Sequence, residues 1–375
     1  MSTTDMLTSN SLAVKLWAKQ GWVQMMARTF VGHAFNRGAI HFAEDLMGQR
    51  ARGDEITYDY TGKLTANPIG EGGTVDGNEE ALDLGNYSMA MNVTRHAVLN
   101  PNEDTIEQQR TNVAFEGRAR EILPRRFSEY LDTSFFYQAA GADPTSFTLN
   151  GTTYATAAQK LHVQGHNTPT APSSDRIIRA ASAASDQAIT SSDKMKLDYI
   201  NYMVELNDNS DQPIERFDDG TFDLVMSPSQ LTDLELDSAG KVQWLNYQFA
   251  KITGGQGNEF ESQWKNGMIL VGRYKDVNLY SSPRVAYGVS GADSSVITTV
   301  RRAVLLGKNA LSFASPFGGR MKDSTPPIKF FTQLKDYEYY KGIEARLIYG
   351  LKKTVPSNGS DIGVMVLSTY AASHT

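Results

Sequence analysis

The sequence predicts a mixed α+β chain built from more than one module. Three observations lead there. At 375 residues the chain is too long for one small core and divides into two or three units. Alternating strand patterns near 55–61 and 87–94 are followed by a helical period running over about 104–137. From about residue 213 short apolar strands alternate with helix, and the chain closes on two long strands.

Composition narrows the function classes. Hydrophobic residues are 40% and charged residues 21%, which places the chain with globular proteins. A net charge of −6 argues against a generic nucleic-acid coat, which needs an excess of Lys and Arg. There is no cysteine, so disulfides, thiolate metal sites and a thiol nucleophile are excluded. The opening MSTTDMLTSNSLAVKLWAKQGW lacks a signal-type apolar core, because Lys15 and Lys19 interrupt it. No window approaches the roughly 18 uninterrupted apolar residues of a membrane span. The protein is expected to be soluble where it is made, with no membrane partner.

In residues 12–47, Leu12, Leu16, Trp17, Val23, Met26, Phe30 and Val31 recur at helical spacing, interrupted by Gly21, Gly32 and Gly38. Two readings stay open: helices packed on their own domain, or an arm lying on neighbouring subunits. In RGDEITYDYTG, Ile56, Tyr58 and Tyr60 face one way as a half-buried strand. Its partner alternates Tyr87, Met89, Met91 and Val93 with Ser88, Ala90, Asn92 and Thr94. Between them, 62–84 is rich in glycine and acid. A loop this long is functional when the assignment is right. A lone hairpin is marginal in water, so its apolar face must cover either its own core or another copy of the chain.

NPNEDTIEQQR opens the long helix, with Asn102 or Asp104 as cap and acids at the positive end of the dipole. Phe115, Ala119, Ile122, Phe127, Tyr130, Leu131 and Phe135 continue one face. Unbroken, 104–137 would span on the order of 50 Å, and Pro124 is expected to kink or split it. Residues 141–175 read as loop. A helix capped by Ser192 presents Met195, Tyr199, Met203 and Leu206. FDLVM (222–226) is a buried strand running into the capped helix SPSQLTDLELD. Strands follow at 268–273 and 277–281. VRRAVLLGKNALSFA reads as a buried strand or helix. YYKGIEARLIYGLKKT and DIGVMVLSTY are long strands joined by PSNGS.

Catalytic patterns fail on their details. His162 and His166 in HVQGH have zinc spacing, but Val163 stands where a protease needs Glu, and a polar loop is the plainer reading. His96 reads as a hydrogen-bonding edge residue. NDNSDQPIERFD places Asn207, Asn209, Asp211 and Asp218 near calcium-ligand positions. Gln212 replaces the turn glycine and the last ligand is not Glu, so an acidic linker is expected. The glycines of 69–77 precede a strand, not a helix, and lack the Lys-Ser/Thr of a phosphate cradle. GVSG (288–291) is not a nucleophile elbow. No residues supply nucleophile, base and orienting group together. No active site is readable and no cofactor or metal is expected, while an enzyme with a site scattered along the chain stays open at this point.

The pieces in order are more informative than any one of them. RGDEITYDYTGKL, GNEEALDLGNYSMAMNVTRHAV, the long helix, FDLVMSPSQLTDL, GMILVGRYKDVNLYSSPRV, RRAVLLGKNAL and GIEARLIYGLKKTVPSNGSDIGVMVLSTYAA together resemble a tailed-phage major capsid protein. The subgroup resembled is that of N-four-like podophages, with the Hong Kong 97-type fold. The resemblance runs from about residue 50 to the end; 141–175 matches least.

It implies an N-terminal arm (1–50), an extended E-loop hairpin (51–100), a P-domain with its spine helix (101–206), an A-domain (207–320), and C-terminal strands (321–375) returning to the P-domain. The implied function is self-assembly through pentamers and hexamers into an icosahedral shell around double-stranded DNA. Implied partners are further copies of the chain, a portal, scaffolding or cement proteins, and packaged DNA bound without sequence specificity. The implied location is the virion, after synthesis in the host cytoplasm. On this reading Ile56, Tyr58, Tyr60, Tyr87, Met89, Met91 and Val93 form the contact face of the E-loop. The alternatives are an encapsulin-like nanocompartment shell and a soluble α/β enzyme with a scattered site.

Overall fold

The computed structural model describes residues 21–42, 55–62, 66–101, 115–237, 264–265, 268–315, 328–337, 339–357 and 359–374, with residues 64, 106 and 110. Residues 1–20 and 43–50 of the expected N-terminal arm, residues 51–54, and the expected helix caps Asn102 and Asp104 lie outside them.

The long helix is Phe115–Ala140, 26 residues, or about 39 Å of rise. Leu123, Phe127, Leu131 and Phe135 repeat every fourth residue and are fully buried, which gives the helix one continuous apolar stripe. It runs unbroken through Pro124, against the expectation of a split. A proline removes one backbone bond and strains the turn before it, at about 3 kcal/mol. Here Leu123 and Phe127, on either side of the proline, are held in the core, and their burial offsets that cost. From Leu131 to Ala140 every residue is buried, so this half lies inside the protein. Its end is neutralised by Arg302, whose Nη1 donates to the carbonyls of Ala140 (3.1 Å) and Gly141 (3.2 Å).

Two large sheets share the core with this helix. In the first, Ile40–Phe42, Leu311–Ala314, Tyr340–Lys353 and Ile328–Lys335 lie side by side, and Asn92–Pro101 also pairs with Tyr340–Lys353. Alternate residues Ile343, Ala345, Leu347, Tyr349 and Leu351 are buried in the cluster that holds the long helix. The second sheet has the order Ile177–Arg179, Val364–Tyr370, Val296–Leu306, Phe222–Met226, Val277–Ser281, Met268–Tyr274 and Trp264–Lys265, with Tyr287–Val289 on Val296–Leu306. Phe222–Met226 is buried at every position, as expected for a strand covered on both faces. One cover is the second apolar cluster, with Leu197, Ile200 and Met203 of helix Leu197–Asp208 and Leu234 of helix Pro228–Leu236.

The sequence VRRAVLLGKNALSFA resolves as two strands, Val296–Leu306 and Leu311–Ala314, which enter different sheets. The two C-terminal strands also part. Tyr340–Lys353 alternates buried and half-exposed residues and joins the first sheet. Val364–Tyr370 is buried almost throughout and takes an interior position in the second.

The described N-terminal segment is part of the core. Residues 21–28 are helical, Thr29 caps a second helix, Phe30–Arg37, and Gly38 ends it with φ 80°. Gly32 therefore lies inside a helix and does not interrupt one. The Phe30 ring lies 5.2 Å and 5.6 Å from the rings of Phe135 and Phe136, and its N–H donates to Asp132 Oδ1 at 2.8 Å. Burial pushes the Asp132 carboxyl up to about 7, against Arg284 and the backbone N–H groups of Phe30 and Val31. For 21–42 the own-domain reading holds. No described helix is long and apolar enough to cross a membrane.

Candidate assembly surface

Strands Glu55–Thr61 and Leu84–Ala90 pair antiparallel, with Ile56 opposite Met89, Tyr58 opposite Tyr87 and Tyr60 opposite Gly85. The loop between them stands out from the protein, with its described residues exposed except for half-buried Gly62 and Glu80. The two strands pair as the alternation predicted.

Its apolar face does not point where the sequence reading put it. Met89 is 0% exposed, Ile56 6% and Tyr87 9%, within a single chain. Ile56 and Met89 pack on Ala314, with Tyr58 and Met91 against them. Tyr58 and Tyr87 stack at 4.9 Å, and the Tyr87 hydroxyl pairs with Ser312 Oγ at 2.5 Å. Burial raises the Tyr87 phenol, which stays a neutral hydrogen-bonding group. The seven residues assigned as a contact face thus divide. Ile56, Tyr87 and Met89 are occupied by the chain's own first sheet, Tyr58 and Met91 are half-buried beside them, and Tyr60 and Val93 are half-exposed. The physical reason is that a two-stranded ribbon cannot hold its own shape in water, so its proximal half docks on a larger sheet.

A second device fixes the base. The expected continuous strand breaks at Met91. The hairpin strand ends at Ala90, and Asn92–Pro101 begins its pairing with Tyr340–Lys353, Asn92 opposite Tyr349. Gly350 passes so close to the break that a Cβ there would stand 2.4 Å from the Ala90 carbonyl oxygen. The backbone groups left over at Ala90 are satisfied by one side chain. Asn167 Oδ1 accepts from Ala90 N–H at 2.8 Å, and its Nδ2 donates to Ala90 O at 3.0 Å and Leu351 O at 3.2 Å. Gln138 of the long helix holds that turn, donating to the carbonyls of Gln164 and Asn167, each at 2.6 Å. Beyond the break, Lys352 Nζ donates to Ser88 O at 2.6 Å, and Ser357 N–H donates to Asn86 O at 3.0 Å. The HVQGH segment therefore forms a turn in this clamp. His166 pairs with Thr94 Oγ1 at 2.9 Å, and burial, with His162 beside it, pushes its imidazole down to about 4. Sequence offered no signal for Asn167, which lies 77 residues from its partner Ala90.

The other sequence candidates are structural. Asn207 Oδ1 accepts from Ile214 N–H at 2.7 Å, bracing the segment that looked like a calcium loop. His96 is exposed on Asn92–Pro101, a strand with one described partner. No cluster of three or more metal-ligating side chains occurs among the described residues.

A third surface lies on the first sheet. The residues of Tyr340–Lys353 that face away from the long helix, Gly342, Glu344 and Arg346, form the floor of a groove. Arg95 Nε and Arg346 Nε both reach Glu344 Oε1, at 3.0 Å and 2.7 Å, and the Arg346 guanidinium lies 4.1 Å over the Phe331 ring. These pairs hold Glu344 below its ordinary carboxylate range.

The phage capsid protein family matches residues 6–373. The chain belongs to that family. The capsid of Ralstonia phage GP4 superposes with a TM-score of 0.67 at 22% identity, covering 90% of this chain and 88% of that one. The cyanophage Pam1 capsid gives 0.61 at 19%, covering 89% of each. The capsid of Helicobacter pylori bacteriophage KHP30 gives 0.56 at 12%, covering 88% of each. No curated protein matches. The fold is that of Hong Kong 97-type capsid subunits, and the protein is a phage capsid protein, a component of the virion shell. Family membership implies a structural role.

Proposed function

We propose that this capsid protein assembles through rings of five and six subunits into an icosahedral shell, and that the hairpin at 55–90 projects onto the next subunit of the ring. The observation that carries this is the contrast within the hairpin. Its base is clamped at Asn167 and Ser312, which aims it, while the loop has no core of its own to rest on. A rigid aim with an uncovered end suits a heterologous contact that closes into a ring. Many such contacts per shell make loss of one subunit improbable even when each is modest. The N-terminal arm (1–50), E-loop (51–100), P-domain (101–206), A-domain (207–320) and C-terminal strands (321–375) are the modules of this reading, with 21–42 built into the core and Val364–Tyr370 into the second sheet. The shell would enclose double-stranded DNA without reading its sequence, with a portal and scaffolding or cement proteins as further partners.

Deleting residues 66–81 from the full chain tests the hairpin's role. The expected variant is folded and soluble by circular dichroism and forms no shells by negative-stain electron microscopy. Normal shells from this variant would refute it.

A further inference from the structure

Asn-Gly pairs occur in this chain at 150–151, 266–267 and 358–359. Such a pair is chemically labile, because glycine has no side chain to shield its backbone nitrogen from the neighbouring amide. Only the first pair lies wholly among the described residues. Phe147–Leu149 and Thr152–Tyr154 pair antiparallel, with Leu149 opposite Thr152, so Asn150 and Gly151 are the whole turn between them. Both have positive φ, 50° and 79°, as in the type I′ turn that Asn-Gly favours. Both are exposed, so water reaches the pair.

The fold adds a restraint that the dipeptide alone does not have. Asn150 Nδ2 donates to Glu129 Oε2 on the long helix, 21 residues away. Glu129 is itself fixed. The same Oε2 accepts from Arg126 Nη1 at 3.0 Å, Arg284 Nη2 stands 3.9 Å from Oε1, and the side chain is 16% exposed. The bond ties the tip of this short hairpin to the helix. Its first strand is tied there by the stack of Phe147 on Tyr137, 5.0 Å between ring centres.

We propose that Asn150 is a site of spontaneous deamidation, held unreactive in the folded subunit by its bond to Glu129. The reaction needs only water. The Gly151 backbone nitrogen attacks Asn150 Cγ and gives up its proton, the Cγ–Nδ2 bond breaks, and ammonia leaves with that proton. Water then opens the cyclic imide to aspartate or isoaspartate. Attack requires the amide to swing over the Gly151 nitrogen, and an amide tied to a fixed carboxylate does not swing. The product reverses the contact. A carboxylate at position 150 has no N–H to give and meets Glu129 with like charge, so the hairpin tip is pushed off the long helix. Isoaspartate also lengthens the backbone, which a two-residue turn does not accommodate.

The test incubates the full chain in mildly alkaline buffer and follows aspartate and isoaspartate at position 150 by peptide mass spectrometry. Folded wild type should convert about tenfold more slowly than the same chain in urea, because the reaction waits on local opening. Glu129→Ala, folded by circular dichroism, should convert about tenfold faster than folded wild type. Glu129→Asp keeps the charge but not the reach, and should also convert faster. Glu129→Gln keeps an acceptor for the amide while losing the ion pairs to Arg126 and Arg284, and should stay within about twofold of wild type. That comparison separates the bond to Asn150 from general loosening of the helix. Asn150→Asp should raise hydrogen exchange at 147–154 and leave it unchanged at 55–61. Equal rates in folded and unfolded wild type overturn the inference. Wild-type rates in both Glu129→Ala and Glu129→Asp overturn it, as does a Glu129→Gln chain that converts as fast as Glu129→Ala.

Discussion

At its base the hairpin buries one face on its own chain, while the described residues of its loop are exposed except for half-buried Gly62 and Glu80. Ile56 and Met89 lie on Ala314, Tyr87 bonds Ser312, and Asn167 closes the backbone at Ala90. In the loop, Glu79 accepts from Gly77 N–H at 2.8 Å and Glu80 from Ala66 N–H at 2.8 Å, which are local bonds that shape the loop without covering it. On the proposed reading the same two strands carry stability at one end and recognition at the other. Substitutions at the base should change folding, and substitutions in the loop should change assembly only.

The sharpest way to break that division lies in the platform under the base. Lys353 Nζ and Asp361 Oδ2 form a fully buried pair at 2.7 Å. Burial pushes the lysine down and the aspartate up, and each charge is held by the other. Asp361→Asn leaves a buried cation without its counter-charge and should cost about 3–5 kcal/mol in urea denaturation of the subunit. Met89→Ala at the base should cost ~3 kcal/mol through lost burial and the cavity left behind. Hydrogen exchange should then rise at residues 55–61 and 84–90.

An acid titration sharpens the comparison. His166 has a folded pKa of about 4, below the ordinary histidine value of 6.5. Below 6.5 the unfolded chain takes up a proton that the folded base refuses. Stability is therefore complete above about 6.5 and falls as pH drops toward about 4, by a few kcal/mol. His166→Asn, which tolerates the φ of 63° at this position, should flatten that slope in denaturation measured across pH 4–7. Tyr87→Phe should cost about 1 kcal/mol, the usual net value of one buried hydrogen bond. The smallest effect belongs to the loop, where Asp76→Asn should shift the melting free energy by less than about 0.5 kcal/mol. A large destabilisation there would mean that the loop is folded onto its own chain.

Much of this was legible in the chain. Ile56, Tyr58 and Tyr60 opposite Tyr87 and Met89 announced a hairpin, because a period of two is a local property of a strand. The spacing of Phe115, Ala119, Ile122, Phe127, Tyr130, Leu131 and Phe135 announced a helix in the same local way, although Ile122 proves exposed and Leu123 takes its place in the core. The target of the hairpin's apolar face was not legible, since alternation says that a face is buried but not on what. Asn167 was read as part of a polar loop because its bonds reach residues 90 and 351. Pro124 was read as a kink or a split because the local cost is visible and the burial that offsets it is not.

The sequence by itself determined the element types, the ordered pattern of a tailed-phage capsid subunit, and the acidic, glycine-rich character of the projecting loop. The element types and the character of the loop follow from spacing and composition, which act over a few residues, and the capsid pattern is a resemblance carried by the order of the segments. Only the tertiary structure decided that the hairpin's base belongs to its own chain, that the two final strands separate into different sheets, and that Arg95, Arg346 and Phe331 meet around Glu344 on the first sheet. Those outcomes depend on which buried surfaces meet, and that is fixed by packing between residues tens to hundreds of positions apart.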